Sequence, residues 1–303
     1  MPKRTIFRQI KFGLEYAAFR AVIGIVRLFP LDTAVAASAR ILRVAAARGR
    51  RQRRVLSNLQ LAFPALSDGE REQIAFRMWE NLGRVLAEAI HQDRILSDPS
   101  RFEIVDQGVL DRYRSDTNAQ IYVSLHTGNW ELGIAPVTWA GYHPAAVYRL
   151  IKNPYVDQYV RDSRKLLFPG GFFAKGEQKE MDEATHPTVR QIVGYIRKGG
   201  RLCILADNYD DQGIPVPFFG HPAKSTPYPA LLARQTGCRL WMGRCVRIGT
   251  TSRFRIECME MTVHHTDDRS GDVRKITADI QKQFEDWIRE YPDQWAWYHR
   301  KWS

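Results

Sequence analysis

The chain contains little cysteine and no long apolar run. These two absences argue against a disulfide-rich secreted protein and against a protein with a membrane-spanning helix. Only four cysteines occur among 303 residues, and none stands in a C-x-x-C pair. This density indicates reduced core thiols, as in a cytoplasmic setting, rather than a disulfide framework. Near the N-terminus, Glu15, Arg20 and Arg27 interrupt the sequence before about 18 apolar residues can accumulate. No small-residue cleavage site follows a clean apolar core, so neither a spanning helix nor a secretory signal is predicted.

Motifs of the common hydrolases and metalloenzymes are also missing. Ser124 has no G-x-S-x-G sequence around it, so we do not assign it as a nucleophile. There is no H-E-x-x-H motif, and His264 and His265 lie in the polar stretch "TVHHTDD", which is typical of solvated histidines. A metal site that combines them with His126 and Asp207 is therefore disfavoured, and no metal is predicted.

Basic residues outnumber acidic ones, and the resulting positive charge indicates anionic partners. Lys and Arg total 45 against 33 Asp and Glu, for a formal net charge of +12. Nucleic acid, a phosphorylated lipid or an acidic carrier protein would each suit such a surface. The basic block "RGRRQRR" at 48–54 is either a solvated helical face or a contact for anionic lipid headgroups. A nucleic-acid arm has less support, because the block has no interleaved aromatic residues and no recognisable binding module.

The first 47 residues are predicted to form helices. Apolar side chains recur at helical spacing with Lys and Arg between them, at Ile10, Leu14, Ala17, Ala18, Ala21, Ile25 and Leu28. This pattern is typical of a helix that lies in a membrane interface, and equally of a helix packed on the protein core. A second, alanine-rich helix follows over 33–47, and a further amphipathic helix begins at Ser67 or Asp68.

After this helical third, the pattern changes to short β-rich runs separated by helical stretches. The runs are "FEIVD", "AQIYVSL", "AAVYRLI", "RLCILAD", "CRLWMGRCVRI" and "FRIECMEMTV". Alternation of strands and helices predicts an α/β fold with a central mixed or largely parallel sheet flanked by helices. We divide the chain into an N-terminal helical, membrane-associating region at 1–47 and an α/β domain at 48–303.

The stretch "YVSLHTGNWELG" carries the strongest chemical signal. His126 comes directly after a predicted strand and before a helix that Asn129 would start, where α/β proteins place reactive groups. Gly128 permits a tight turn that can fold the Glu131 carboxylate back toward the imidazole. Glu131 would then orient His126 as a general base for a substrate hydroxyl, as in a serine hydrolase triad whose serine is replaced by an incoming alcohol.

Other polar residues at predicted strand ends are candidates for substrate binding. Arg149 and Lys152 lie where a strand gives way to a helix, and two cations there could hold a phosphate or a carboxylate. Asp207 ends the buried run "RLCILAD", and Asn129 follows the strand that leads to His126. The aromatic and proline-rich segment after Asp207 is predicted to be a rigid loop that walls an acyl chain or substrate.

Together these segments resemble the bacterial lipid A late acyltransferases, the lauroyl and myristoyl transferases of the lysophospholipid-acyltransferase-like group, with the mycobacterial phosphatidylinositol mannoside acyltransferases as relatives. The resemblance covers most of the chain. It is carried by "RRVLSNLQLAFPALSDGEREQIA", "SLHTGNWELG", the Arg149 segment, "ILADN", "VPFFGHPAKSTPYPALLARQTGCRL" and "YPDQWAWYHRKW".

The resemblance implies transfer of a fatty acyl group from acyl carrier protein to a hydroxyl of a phosphorylated glycolipid in lipid A and lipopolysaccharide biosynthesis. The expected location is the cytoplasmic face of the inner membrane, against its anionic surface, and no cofactor is implied. His126 maps onto the catalytic base, Glu131 onto its acidic partner and Arg149 onto a residue for the phosphate or the oxyanion. This reading includes no nucleic acid among the partners.

Asn208 departs from this pattern, because many relatives have glutamine after the strand-end aspartate. The acceptor is open, since related proteins acylate lysophospholipids, ornithine lipids or mannosides. A thioesterase or lipid hydrolase with the same pair of residues is the enzymatic alternative. A basic protein that binds membranes or nucleic acid through 48–54 is the non-enzymatic one.

Overall fold

Short runs of β-branched and apolar residues pair into one seven-stranded sheet at the centre of the molecule. The computed structural model describes residues 3–47, 49–116, 118–175 and 187–302. Within these ranges the sheet strands are β1 Phe102–Ile104, β2 Gln120–Ser124, β3 Ala145–Arg149, β4 Gly171–Lys175, β5 Arg201–Leu205, β8 Arg239–Arg247 and β9 Phe254–Met261. A separate hairpin consists of β6 Tyr209–Phe218 and β7 His221–Ser225.

The strand order is β1-β9-β8-β2-β5-β3-β4. Strands β8, β2, β5, β3 and β4 are mutually parallel, whereas β9 pairs with β8 in antiparallel fashion and β1 runs parallel to β9. The predicted α/β class, with a mixed and mostly parallel sheet flanked by helices, is confirmed. In register, Ser124 of β2 lies opposite Leu205 of β5, so the residues that follow these two strands emerge side by side.

Helices cover both faces of the sheet. They are α1 Lys3–Arg27, α2 Leu31–Ala46, α3 Arg50–Ala62, α4 Asp68–Ile90, α5 Gln92–Leu96, α6 Gln107–Ser115, α7 Ala135–Trp139, α8 Pro154–Arg164, α9 Pro187–Arg197, α10 Tyr228–Thr236 and α11 Arg269–Glu290. Alternate residues of β2 enter different hydrophobic clusters: Ile121 and Val123 pack under α4, α10 and α11, while Tyr122 packs on the α6 side. This alternation places a core on each face of the sheet.

The N-terminal helices contact the rest of the molecule through one face only. Helix α2 packs along α4, and the Ser38 hydroxyl donates to the Gly83 carbonyl at 2.7 Å. Helix α1 lies on α8, where Asn153 donates to the Phe12 carbonyl at 2.9 Å. The apolar series predicted for α1 is exposed, with Leu14 at 68% and Leu28 at 81% of full accessibility. Across the described residues, no helix combines the length and apolar character needed to cross a membrane.

The structure confirms one prediction about local structure, the cap of α4, and corrects another, the loop after Asp207. Ser67 is the cap of α4: its hydroxyl accepts from the Glu70 backbone N–H, and the Glu70 carboxylate accepts from the Ser67 N–H, which is a capping box. The predicted loop after Asp207 is instead largely the hairpin β6–β7, with Phe219 in the left-handed region at φ +50° at its tip. The four cysteines are free thiols, and three of them are buried, as predicted.

Candidate active site

The loop after β2 is held rigidly between β8 and the segment at 294–297. The His126 carbonyl accepts from the Ala296 N–H at 3.0 Å, and the Gly128 N–H donates to the Gln294 carbonyl at 3.1 Å. Gly128 has φ +56°, and a Cβ there would lie 1.9 Å from the Cys245 carbonyl oxygen. Glycine is therefore required by both the backbone conformation and the approach of β8. This clamping fixes the direction in which the His126 side chain leaves the backbone.

His126 is paired with Asp207, which follows the neighbouring strand β5. The imidazole Nδ1 lies 2.8 Å from Asp207 Oδ1, and the His126 backbone N–H donates to Oδ2 at 2.8 Å. The Trp295 indole N–H also donates to Oδ2 at 2.8 Å. Burial raises the pKa of the Asp207 carboxyl, but the charge of His126 and the two hydrogen bonds to His126 outweigh burial and hold that pKa well below its usual value.

The pairing determines what the imidazole can do. A carboxylate only accepts hydrogen bonds, so in the neutral imidazole Nδ1 carries the proton and Nε2 keeps its lone pair. The His126 side chain is 14% exposed, while Asp207 is completely buried. Trp130 and His299 flank the imidazole, with ring centroids at 5.2 Å and 4.8 Å. A partly exposed histidine that a buried carboxylate orients, and whose other nitrogen has no partner among the described residues, is suited to accept a proton from a hydroxyl.

Comparison with known proteins identifies the family of this chain. The family model described as bacterial lipid A biosynthesis acyltransferase matches residues 3–303. The chain belongs to this family. The chain is also similar to the phosphatidylinositol mannoside acyltransferases of two strains of Mycobacterium tuberculosis, each 26% identical over 180 residues, which is 58% of this chain and 52% of the relative.

The corresponding enzyme of Mycolicibacterium smegmatis is 25% identical over 179 residues, covering 58% of this chain and 54% of the relative. The chain thus spans about half the length of the curated relatives it matches. The family that the chain belongs to is one of acyltransferases in lipid biosynthesis.

Glu131 does not occupy the position that the sequence motif predicted. Its carboxylate forms an ion pair with Arg164 at the end of α8 and accepts from the Trp130 indole N–H at 3.2 Å. The carboxylate at His126 Nδ1 is that of Asp207. The reason is geometric: the chain turns into the short 3-10 segment Leu132–Ile134 directly after Glu131, while the parallel register of β2 and β5 brings Asp207 to the imidazole.

Asn129 lies beneath the site rather than on its surface. It starts no helix and is buried, and its amide donates to Glu88 Oε2 at 2.8 Å. Glu88 in turn forms a buried ion pair with Arg247, which donates to Asn81 at 2.8 Å. Asn81 donates to the Gly128 carbonyl at 3.0 Å. Asn129 therefore belongs to a buried polar network that supports the His126 loop from below.

Arg149 and Lys152 are exposed at the end of β3 and in the following turn. Strand β5 separates β3 from β2, so these residues lie one strand beyond the His126–Asp207 pair. Within the described ranges, neither side chain has a hydrogen bond or an ion pair. Their charges are thus available to a ligand at the same edge of the sheet.

A buried lysine lies behind Asp207. Lys301 is fully buried and donates to Gln281 Oε1 at 2.7 Å and to the Ser225 hydroxyl at 3.0 Å. Gln281 donates to the carbonyl of Ala206, the residue before Asp207. Burial lowers the pKa of Lys301 to about 7, against the opposing effect of the Asp207 charge.

Sequence reasoning missed Trp295 and His299 and gave Asp207 a substrate-binding role. All three occur in segments already singled out, "ILADN" and "YPDQWAWYHRKW". An acidic residue that ends a strand predicted to neighbour β2 is the signal that pointed to Asp207. For Trp295 and His299, the signal was the composition of the closing segment. It is rich in aromatic and histidine residues, which is unusual for an exposed segment.

Proposed function

We propose that the protein transfers a fatty acyl chain from a thioester donor to a lipid hydroxyl, with His126 as general base and Asp207 as its orienting partner. The observation that carries this proposal is the 2.8 Å contact between His126 Nδ1 and a buried Asp207, which leaves Nε2 free. Nε2 takes the proton of the acceptor hydroxyl while its oxygen forms a bond to the thioester carbonyl carbon. The tetrahedral intermediate then collapses, the carbon–sulfur bond breaks, and the imidazolium returns the proton to the leaving thiolate.

Glu131 has a different role in this proposal. Its ion pair joins the loop that carries His126 to α8, so Glu131 fixes Arg164 at the side of the site. Arg164 is about one-third exposed and can meet a substrate anion. Glu131 is then a positioning residue for a cation rather than for the base.

A phosphorylated acceptor, most simply a lipid A precursor, suits the cations around the site. Asn58 of α3 donates to the His299 carbonyl at 3.0 Å, and Arg51 and Arg54 precede Asn58 at helical spacing on the same face. Both arginines are exposed and, among the described residues, have no acidic partner. With Arg149 and Lys152 across the edge of the sheet, they offer phosphate contacts on two sides of the base.

A mannoside is the second candidate acceptor, and the mycobacterial relatives favour it by name. A lysophospholipid or an ornithine lipid would use the same chemistry. The excess of basic residues also suits an acidic acyl carrier protein as donor, because complementary charge speeds association.

We place the enzyme at the cytoplasmic face of the inner membrane. The exposed apolar residues of α1, of α2 and of the turn between them support this location: they are Phe7, Ile10, Leu14, Val22, Ile25, Leu28, Ile41 and Val44. Arginines lie between them, and an apolar face edged by cations is typical of helices that lie in an anionic interface.

The test is an acyl-transfer assay with purified protein and mass spectrometry of the lipid products. An acyl carrier protein thioester and a coenzyme A thioester are each offered with a lipid A precursor or with a phosphatidylinositol mannoside. We expect a new ester on a phosphorylated lipid with the carrier-protein donor, lost in His126→Ala and retained in the exposed control His143→Ala. Free fatty acid without a new ester would indicate a hydrolase, and full transfer by His126→Ala would refute the proposed base.

A further inference from the structure

His299 is held next to the base by its backbone on both sides. Its N–H donates to the Ala296 carbonyl at 3.1 Å, and its carbonyl accepts from the Asn58 amide at 3.0 Å. The Ala296 N–H also donates to the His126 carbonyl. The two histidines are therefore tied together through one residue, and the position of the His299 ring follows from that of the His126 loop.

The His299 ring contacts two other rings. Its centroid is 4.8 Å from that of His126 at an interplanar angle of 49°, and 4.3 Å from that of Tyr298 at 37°. Tyr298 in turn stacks on Trp79 of α4 at 5.6 Å. A side chain packed in this way has little rotational freedom, so its ring nitrogens are preorganised.

One nitrogen of this ring has no partner. Among the described residues, His299 Nε2 is buried and makes no hydrogen bond. A buried polar atom without a partner is costly and calls for an explanation at a functional site. Burial and the neighbouring His126 lower the pKa of His299 to about 4, so its imidazole is neutral near pH 7. An imidazole with this low pKa is a weak base and competes poorly with His126 for the hydroxyl proton, yet in its neutral form it has one N–H donor.

We propose that His299 Nε2–H donates a hydrogen bond to the oxygen of the tetrahedral intermediate formed beside His126. This inference rests on the proposed acyl transfer and assigns the stabilising donor that the reaction requires. The thioester carbonyl oxygen gains negative charge when the acceptor oxygen adds to its carbon, and it loses that charge when the carbon–sulfur bond breaks. A fixed donor next to the base meets this charge at the site where it develops, so the contact strengthens in the transition state.

Three substitutions at position 299 distinguish a donor from a packing residue. His299→Phe keeps a planar ring for Tyr298 and His126 but has no N–H. His299→Gln places an amide N–H near the Nε2 position, whereas His299→Asn places it near Nδ1. Each variant is assayed for kcat and KM with the donor and acceptor pair that the wild type uses, and thermal unfolding verifies that it folds.

We expect His299→Phe to lower kcat by about 10²- to 10³-fold with little change in KM, as removal of an oxyanion donor does. His299→Gln should recover most of that loss, and His299→Asn should resemble His299→Phe. A folded His299→Phe with kcat within about threefold of the wild type would overturn the proposal. Equal rates for the Gln and Asn variants would also overturn it, because a packing role does not depend on donor position. Absence of transfer by the wild type is a separate result that refutes the proposed function itself.

Discussion

Replacing Asp207 with asparagine tests the assignment of the base and its partner most directly. Asp207 Oδ2 accepts from two fixed donors, the His126 backbone N–H and the Trp295 indole N–H. In Asp207→Asn the amide oxygen must take this place, because an NH₂ group there would face two donors. The amide nitrogen is then directed at His126 Nδ1, to which it donates. Nδ1 becomes an acceptor, the proton moves to Nε2, and the imidazole can no longer accept the hydroxyl proton.

The expected loss follows from this change of tautomer. In a serine protease triad the equivalent substitution lowers kcat about 10⁴-fold while the geometry stays intact. A loss of that size corresponds to about 5.5 kcal/mol of transition-state stabilisation. We expect a similar loss here, with unfolding free energy close to that of the wild type, because the amide keeps both hydrogen bonds at the Oδ2 position.

Glu131→Gln is the matched control. It also converts a carboxylate to an amide, but its partners are Arg164 and Trp130, and both groups of the ion pair are partly exposed. Such pairs contribute about 1 kcal/mol or less, so we expect a loss in kcat of roughly tenfold at most. The acyl-transfer assay measures kcat, urea unfolding measures the unfolding free energy, and ¹⁵N NMR identifies the tautomer of the His126 imidazole. A larger loss in Glu131→Gln than in Asp207→Asn would refute our reasoning and restore the pairing expected from the sequence motif.

Three further substitutions probe the support of the site. Gly128→Ala should cost at least about 2 kcal/mol in urea unfolding, because its Cβ would overlap the Cys245 carbonyl at a positive φ. The folded-state pKa of Lys301 is about 7, below its unfolded value of 10.5, so the unfolded chain binds more protons between these pH values and stability rises with pH. Wild type should therefore gain about 2 kcal/mol between pH 7 and pH 9 relative to Lys301→Met, measured by urea unfolding. Arg247→Met should cost about 3 to 5 kcal/mol by leaving Glu88 buried and unpaired, and adding Glu88→Gln should recover part of it.

The fold could be predicted because its signals are local. Strand propensity, helix periodicity and capping residues each act over a few positions, so the strands around His126 and the start of α4 at Ser67 were found from the sequence. The hairpin at 209–225 was missed. Its prolines and glycines suggested a loop, whereas the pairing of β6 with β7 satisfies the backbone around them.

The partner of His126 could not be predicted with the same means. Glu131 is close in sequence, but the direction of its side chain depends on the turn that follows. Asp207 reaches the imidazole through a contact that spans 81 residues, and Trp295 reaches Asp207 through one that spans 88. A single sequence carries no direct information on such contacts. Their proximity results from the parallel register of β2 with β5 and from the segment at 294–297, which packs on the loop after β2.

The contact between Trp295 and Asp207 also has a consequence for biosynthesis. Ribosomes add about 5 to 20 residues per second, so Trp295 is joined to the nascent chain about 4 to 18 s after Asp207, from which it is 88 residues distant. During that interval His126 and Asp207 have both been synthesised, but the indole donor and the Ala296 clamp do not yet exist. The proposed catalytic pair therefore gains these contacts only after β8, β9 and α11 have been synthesised.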